Sequence, residues 1–196
     1  LHVGPGVLIP RPDSEVLIAS ALEHFDGTDG PRRILDLGTG PGTLLLAALD
    51  LWPKATGLGL DVSRQAMSYA AANARRLGLE SRVKLKQGDW AKDIAERFDL
   101  ILCNPPYVAD DAKLGPGVRE YEPDEALFAG KEGLNAYREL APHLPALLNT
   151  GGLAAVEIGH DQAEAVTDLL SRDGLRARVA EDLGGRPRAV LLTWIA

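Results

Sequence analysis

The chain has little of what marks several specialised classes of protein. Its 196 residues contain one cysteine, Cys103, so they form no internal disulfide framework, and we expect a cytoplasmic setting. No apolar run approaches the ~20 residues of a membrane-spanning helix and no charged-then-apolar leader is visible, so we expect neither a membrane span nor a signal peptide. The four histidines lack metal-ligand spacing, so we expect no metal.

What is present is the composition of an ordinary globular protein. The hydrophobic content of 45% and the charged content of 25% are average, and 196 residues fit one domain. The net charge of −7 argues against a broad nucleic-acid footprint. We expect the protein to be monomeric. Because the chain begins with Leu1 rather than Met, we also expect it to be a piece of a longer protein.

The order of predicted elements favours an α/β fold. Short apolar runs alternate with segments of helical spacing, which predicts a doubly wound, mostly parallel seven-stranded sheet. The last two strands follow one another without a helix and predict an antiparallel edge. The predicted strands are 34–37, 55–61, 83–85, 98–103, 153–158, 176–180 and 189–194. The predicted helices are 44–51, 66–77, 134–148 and 162–170.

Local signals set some of these boundaries. Ser63 is a typical cap for the helix that follows it, and Gly78 ends that helix. Pro142 and Pro145 interrupt the segment 134–148. We expect residues 1–30 to form a leading segment and helix, and residues 31–196 to form the α/β domain.

A glycine-rich turn follows the first predicted strand. Residues 36–42 read Asp-Leu-Gly-Thr-Gly-Pro-Gly, and glycines there let a ligand approach the backbone closely. The pattern G-x-G-x-G differs from the dinucleotide pattern G-x-G-x-x-G, and it lacks the Gly-Lys-Ser/Thr ending of a phosphate loop. A tight turn without a ligand is the alternative.

Three side chains near this turn predict an adenosine site. Asp61 closes the second strand, where an acidic residue accepts hydrogen bonds from ribose hydroxyls. Asp89 can meet the adenine amino group, and Trp90 can pack on its ring. The alternatives are a helix-leading Asp61 and a structural Trp90. An adenosine site without phosphate chemistry suits S-adenosylmethionine better than a dinucleotide, with Asp36 near the methionine end or serving only as a helix cap.

The chain must leave the sheet abruptly after the fourth predicted strand. Asn104 is followed by Pro105 and Pro106, which cannot continue a central strand, and then by Tyr107. This exit lies at the carboxyl edge of the sheet, where open α/β folds bind their ligands. Alone, the sequence Asn-Pro-Pro is also typical of a plain turn.

Together these segments resemble a known family. Residues 37–42, Asp61, 88–90 and 104–107 resemble class I S-adenosylmethionine methyltransferases that modify an amide or exocyclic nitrogen. Residues 7–15, Val-Leu-Ile-Pro-Arg-Pro-Asp-Ser-Glu, are similar to a motif of the peptide chain release factor glutamine methyltransferases, the HemK family. Two more segments are similar to that family's motifs: Tyr-Glu-Pro at 121–123 with the residues up to 134, and Glu-Ile-Gly at 157–159 with Gln162.

The resemblance implies methyl transfer from S-adenosylmethionine to the side-chain amide nitrogen of a protein glutamine, with the Gly-Gly-Gln glutamine of a release factor as the expected substrate. It implies catalytic roles for Asn104, Pro105 and Tyr107, with Pro106 also in the substrate site. Asn104 Oδ1 and the Pro105 carbonyl would each accept one N–H of the glutamine, and Tyr107 would pack on it or merely cover the loop. The cofactor site it implies comprises Asp36, Gly38, Thr39, Gly40, Pro41, Gly42, Asp61, Asp89, Trp90 and Asn104.

The resemblance also bears on the extent of the chain, and it leaves other functions open. Family members carry a helical N-terminal domain, and we expect this chain to begin after it. We expect residues 108–132 to help hold the substrate peptide, and residues 11–15 either to close the cofactor pocket or only to begin a helix. The rivals are an N-methyltransferase of DNA or RNA, a glutamine methyltransferase of a ribosomal protein, and a non-catalytic module that binds S-adenosylmethionine.

Overall fold

The computed structural model describes residues 1–92, 94–113 and 123–195. Part of the segment 108–132, including Tyr121 and Glu122, lies outside the described residues.

Seven strands of the described chain form one sheet, in the order β3-β2-β1-β4-β5-β7-β6. Strand β7 is antiparallel to both of its neighbours, and the other pairs are parallel. The predicted doubly wound sheet with an antiparallel edge is thereby confirmed. The strands are β1 (Arg33–Leu37), β2 (Thr56–Asp61), β3 (Val83–Gln87), β4 (Phe98–Cys103), β5 (Leu148–Glu157), β6 (Leu175–Glu181) and β7 (Pro187–Trp194).

The helices pack on both faces of this sheet. They are α1 (Glu15–His24), α2 (Thr43–Leu51), α3 (Arg64–Arg76), α4 (Asn135–Leu140), α5 (Leu144–Leu147) and α6 (Ala163–Leu170), with short 3₁₀ helices at Pro12–Ser14, Glu80–Arg82 and Asp124–Ala126. Residues of α1 and α2 share one buried apolar cluster with the sheet, and residues of α4 to α6 share the other. Within the described residues, none of the helices combines the length and the apolar character needed to cross a membrane.

The predicted helix signals of α3 are confirmed. Ser63 has extended backbone angles, and its side chain accepts a hydrogen bond from Ala66 N, 3.2 Å from Oγ. Gly78 adopts a left-handed conformation with φ 69° just after the helix ends.

The segment 134–148 differs from one continuous helix. It forms two short helices, α4 and α5, with Pro142 between them and Pro145 in the first turn of α5, where a missing N–H costs little. Strand β5 then begins at Leu148, five residues before the predicted start at 153. Its first half is irregular, since the register against β4 shifts between Phe98 and Leu100.

The leading segment is part of the same core as the sheet. Leu17 and Ala21 of α1 are fully buried and belong to the cluster that contains Ile34 of β1. Upstream of α1, the backbone of His2 exchanges hydrogen bonds with the side chain of Asn73 on α3. Residues 1–30 therefore pack against the α/β core, and the boundary predicted at residue 30 separates segments of the sequence rather than separate bodies.

The sheet has its topological switch point between β1 and β4. The chain runs outward from β1 to β2 and β3, then crosses back to place β4 on the other side of β1. Leu37 and Cys103 end these two strands as register partners. The loops that leave β1 and β4 diverge from this point, and such a point is where an open α/β sheet forms its ligand crevice.

Candidate active site

A cleft of about 610 Å³ lies at the carboxyl ends of β1, β2 and β4. This volume is in the range of small-molecule sites. Its walls come from four parts of the chain: the leading segment, the ends of β1 to β4, the described second half of the segment 108–132, and α4. The lining residues include Gly6, Val7, Leu8, Gly38, Gly40, Asp61, Gly88, Trp90, Asn104, Pro106, Glu125, Phe128, Gly130, Asn135 and Glu139.

The glycine-rich turn forms the floor of the cleft. Gly38 and Gly40 have φ of 69° and 56°, a conformation that L side chains rarely adopt. A Cβ on Gly38 would meet only the Asn104 carbonyl oxygen at 3.8 Å, so the space above the turn is open. Thr39, Pro41 and Gly42 are buried and are not among the lining residues. The turn therefore presents backbone to the cleft.

Asp61 holds the turn and lines the cleft. Its Oδ2 accepts a hydrogen bond from Gly40 N at 2.8 Å, and its Oδ1 accepts one from Ser63 N at 2.8 Å. Each carboxylate oxygen can accept a second bond. Asp61 thus leads α3, as the structural alternative supposed, and also keeps acceptor capacity toward the cleft.

Asp36 is buried beneath the glycine-rich turn and does not line the cleft. Its Oδ2 accepts hydrogen bonds from Thr39 Oγ1 at 2.7 Å and from Leu45 N at 3.3 Å, so it does cap the first turn of α2. Its Oδ1 has no partner among the described residues. Burial, with a smaller contribution from the nearby Asp61 carboxylate, raises the pKa of Asp36 from 3.8 to about 7.

Trp90 and Asp89 have separate environments. Trp90 lines the cleft, packs against the buried core and has φ 49°, an uncommon value for a bulky residue. Asp89 is exposed, and its carboxylate pairs with Lys92, which raises the pKa of that lysine. The structure brings Trp90 to the cleft and directs the Asp89 carboxylate to Lys92 instead.

Asn104 stands at the end of β4 with its amide in a defined orientation. Nδ2 donates a hydrogen bond to Ser14 Oγ at 3.1 Å. No described residue donates to Oδ1, and Asn104 lines the cleft beside the glycine turn. Pro106 also lines the cleft, whereas Pro105 is buried and its carbonyl accepts no bond from the described residues.

Tyr107 is turned toward a buried carboxylate. Its hydroxyl donates to Glu157 Oε1 at 3.2 Å, and it is not among the residues that line the cleft. Burial and the nearby Glu157 raise the pKa of Tyr107 to about 12. The packing of Tyr107 on a substrate side chain stays a prediction.

Gln162 and the residues near it contact the loop formed by residues 104–107. Gln162 Nε2 donates to the Tyr107 carbonyl at 3.1 Å, and its Oε1 accepts from Gly159 N at 3.0 Å. A Cβ on Gly133 would lie 2.3 Å from the Tyr107 carbonyl oxygen, so the segment that carries Gly133 can approach the loop only with glycine there.

Two residues of the site were missed by sequence reasoning. Ser14 was noted only within the motif at residues 7–15, yet its Oγ accepts a hydrogen bond from Asn104 Nδ2. Glu157 was noted only within a motif, yet its side chain is fully buried and its pKa is raised by that burial. A lone acidic residue in an otherwise apolar strand was the available signal.

The motif at 11–15 anchors the leading segment. Asp13 pairs with Arg188 of β7, 3.1 Å between Oδ2 and Nη2, and Ser14 contacts Asn104. The cleft itself is lined from this side by Gly6, Val7 and Leu8. Closure of the pocket by the leading segment therefore comes from residues upstream of the motif.

The fold and the cleft define a methyltransferase domain, and the family model described as "Methyltransferase domain" matches residues 29–153. Release factor glutamine methyltransferases from Rhodospirillum rubrum and Caulobacter vibrioides are 47% and 44% identical to this chain. Each alignment covers 97% of the chain, which spans 59% and 67% of those relatives. The chain belongs to the release factor glutamine methyltransferase family.

Solved structures agree with this fold. A protein-(glutamine-N5) methyltransferase (release factor-specific) from Alicyclobacillus acidocaldarius is 27% identical with a TM-score of 0.58, and the match covers 100% of both chains. A ribosomal protein L11 methylase from Lactobacillus delbrueckii has a TM-score of 0.70 at 20% identity, over 95% of this chain and 81% of its own. At that identity the second likeness shows the fold alone.

Proposed function

We propose that this chain transfers a methyl group from S-adenosylmethionine to the side-chain amide nitrogen of a protein glutamine, and that the glutamine is that of the Gly-Gly-Gln motif of a peptide chain release factor. One observation carries the proposal. The cleft joins the open glycine turn after β1 to an asparagine after β4 whose amide oxygen has no partner among the described residues. The names of the family's curated members support the choice of release factor over the rivals.

The residues of the cleft fit the cofactor. The space above Gly38 and Gly40 is free of side chains, so a ligand can lie directly on the backbone. Asp61 retains acceptor capacity for ribose hydroxyls, and Trp90 offers a ring surface for adenine. The unpartnered Oδ1 of Asp36 suits an ammonium group above it, and a nearby cation would favour the ionised carboxylate.

When bound, S-adenosylmethionine supplies a methyl group on a cationic sulfonium centre. The chain's own residues must hold the nucleophile in line with it. Asn104 Oδ1 and the Pro105 carbonyl each accept one N–H of the glutamine amide, which turns the nitrogen toward the cofactor end of the cleft. These acceptors stabilise the positive charge that develops on the nitrogen during attack.

The proposed site needs no strong base. The nitrogen becomes more acidic once it is methylated and can lose its proton to water after transfer. Pro105 and Pro106 keep the loop stiff, so the two acceptors are held before the substrate arrives. We assign the approach of the peptide to the side of the cleft lined by Glu125, Phe128 and Gly130.

The remaining assignments belong to the same proposal. Residues 31–196 act as the methyltransferase domain, and residues 1–30 cover one side of its cleft and core. The protein acts as a monomer in the cytoplasm and engages no nucleic acid. The helical domain implied by the family would add contacts to the release factor.

The test is methyl transfer with labelled S-adenosylmethionine to each class of substrate. A release factor, a ribosomal protein and a nucleic acid are incubated separately with the chain, and a release factor whose Gly-Gly-Gln glutamine is replaced by alanine is the control. We expect label on the intact release factor and none on the control. Label on nucleic acid alone would overturn the proposal, and cofactor binding without label on any substrate would favour a non-catalytic module.

A further inference from the structure

A side chain outside the cleft joins three parts of the chain at one point. Gln162, immediately before α6, donates from Nε2 to the Tyr107 carbonyl at 3.1 Å and to the Gly133 carbonyl at 3.3 Å. Its Oε1 accepts a hydrogen bond from Gly159 N at 3.0 Å. The amide therefore connects the loop at residues 104–107, the segment that precedes α4 and the turn that follows β5.

The partners of Gln162 also decide which way its amide faces. A backbone carbonyl only accepts hydrogen bonds, and a backbone N–H only donates them. A 180° flip of the amide would therefore lose the bonds to Tyr107, Gly133 and Gly159 together. Because all three partners are backbone groups, the donor end of Gln162 stays directed at the loop.

The part of the loop that carries the proposed acceptors is short and is held at both ends. Cys103 precedes it and is paired with Leu37 in the sheet. Tyr107 ends it, and Gln162 holds the Tyr107 carbonyl. Only Asn104 and two prolines lie between, and each proline ring fixes φ. A shift of the Tyr107 carbonyl must therefore move the acceptors, because few free torsions remain to absorb it.

The loop is also joined to the wall of the cleft that was assigned to the peptide. Val108 N donates to the Leu127 carbonyl at 2.8 Å, and Ala129 N donates to the Val108 carbonyl at 2.9 Å. Phe128 lies between these two partners and lines the cleft. Gln162 holds the same wall segment again at Gly133, so it sets the distance between the wall and the loop.

We propose that Gln162 is a positioning residue for methyl transfer, which holds the Tyr107 carbonyl and thereby places Asn104 Oδ1 and the Pro105 carbonyl for the substrate amide. This inference rests on the proposed function and deepens it. It assigns a role in the reaction to a residue that does not line the cleft.

Replacement of the Gln162 amide tests this role. Gln162→Met keeps a side chain of similar length without a donor, and we expect single-turnover methyl transfer to fall about tenfold, the scale of one lost hydrogen bond. Cofactor affinity, measured by calorimetry, should stay within about twofold of wild type, because the glycine turn lies far from the change. Asn149→Ala, which loses an amide bond to Asp99 outside the cleft, is the control and should alter neither quantity.

A double-mutant cycle separates positioning from a general effect on the fold. In the Asn104→Ala background, Gln162→Met should cost only about threefold, because one of the two acceptors that it positions is already gone. The same fold-loss with and without Asn104 would overturn the positioning role.

Gln162→Glu separates the contact with the loop from the contact with the turn after β5. At pH 8 its ionised carboxylate can still accept from Gly159 N, but it cannot donate to the Tyr107 carbonyl. We therefore expect this variant to lose as much rate as Gln162→Met. A wild-type rate would mean that Gln162 serves the turn alone, and the proposal would fail.

A steric variant tests the same contact while Gln162 stays in place. A Cβ on Gly133 would lie 2.3 Å from the Tyr107 carbonyl oxygen, so Gly133→Ala should displace the loop and lower the rate without weakening cofactor binding. Gly185→Ala is the matched control, since Gly185 has a similar left-handed φ with open space around it. This pair decides the proposal if Gln162→Met does not fold, and equal rates in the two glycine variants would then overturn it.

The wild-type rate on a glutamine substrate is measured first, and its absence would contradict the proposed function. With an active wild type, a rate in Gln162→Met within about twofold of wild type would contradict only the positioning by Gln162.

Discussion

The two halves of the cleft are built differently. The half at the glycine turn is fixed by contacts between residues close in sequence: Asp36 bonds residues three and nine positions away, and Asp61 bonds Gly40 across 21 positions. The half at Asn104 is fixed by contacts between residues that are far apart in sequence. Ser14 is 90 positions from Asn104, and Glu157 is 50 positions from Tyr107. The glycine turn is thus held mainly by residues near it in sequence, whereas the Asn104 amide is held by a contact with a distant part of the chain.

The largest expected effect lies in the Asn104 half. Asn104→Ala should lower methyl transfer by ~10²-fold or more, the cost of losing a key transition-state contact. Cofactor affinity should change little, because the glycine turn and Asp61 remain. Asn149→Ala, which removes an amide that bonds Asp99 away from the cleft, is the matched control. Undiminished turnover in Asn104→Ala would remove the residue from the mechanism.

The buried carboxylate of the glycine half should make stability depend on pH. The folded state holds the Asp36 proton up to a pKa of about 7, while the unfolded state releases it near 3.8. The free energy of unfolding therefore falls as pH rises through this range. Asp36→Asn should remove this fall, so we expect the free energy of unfolding of the variant, relative to that of wild type, to rise by roughly 4 kcal/mol between pH 4 and pH 8.

Urea unfolding of the ligand-free proteins at pH 4 and pH 8 measures this difference. Asp50→Asn, at an exposed position of α2, controls for the loss of one charge. If the free energies of unfolding of Asp36→Asn and wild type differ by the same amount at pH 4 and at pH 8, the raised pKa of Asp36 would be contradicted.

A side chain added to the glycine turn at the floor of the cleft should weaken cofactor binding. Gly40→Ala places a Cβ in the cleft and should weaken cofactor binding about tenfold, in addition to a left-handed backbone penalty of about 1 kcal/mol. Gly185 has φ 73° and open space around it outside the cleft, so Gly185→Ala bears the same penalty without the ligand effect. Calorimetric titration compares the two, and equal affinities would mean that the cofactor does not lie on the turn.

The smallest expected effect separates two roles of Tyr107. Tyr107→Phe loses the bond to Glu157 but keeps the ring, so turnover should fall only about threefold, with about 1 kcal/mol of stability lost. Tyr107→Ala should lose much more turnover if the ring packs on the glutamine. Similar turnover in both variants, measured by steady-state kinetics, would leave Tyr107 as a cover over the loop.

The same contrast explains what could be predicted from the sequence. The glycine turn, the cap at Ser63 and the stop at Gly78 follow from the chemistry of single residues. The break in 134–148 follows from its prolines. The mostly parallel sheet with an antiparallel edge was predictable from the alternation of elements. The strand order, which places the end of β4 beside the turn after β1 and so brings Asn104 near Gly38, was not predicted.

What could not be predicted depends on side-chain direction and long-range contact. Asp89 and Trp90 are neighbours in sequence, yet one faces Lys92 and the other the cleft. The early start of β5 depends on its irregular pairing with β4, which no periodicity shows. Ser14 meets Asn104 only because the leading segment folds against the end of β4.

Cys103, buried at the end of β4 immediately before Asn104, has a practical consequence for spectroscopy. Burial raises the pKa of its thiol, so the folded protein should react slowly with thiol reagents. It is the single cysteine, so a second one introduced at the fully exposed Leu183 would take a fluorescent or spin label at one position. The unlabelled Cys103 would then report, by its own rate of modification, how often the base of the loop at residues 104–107 opens to solvent.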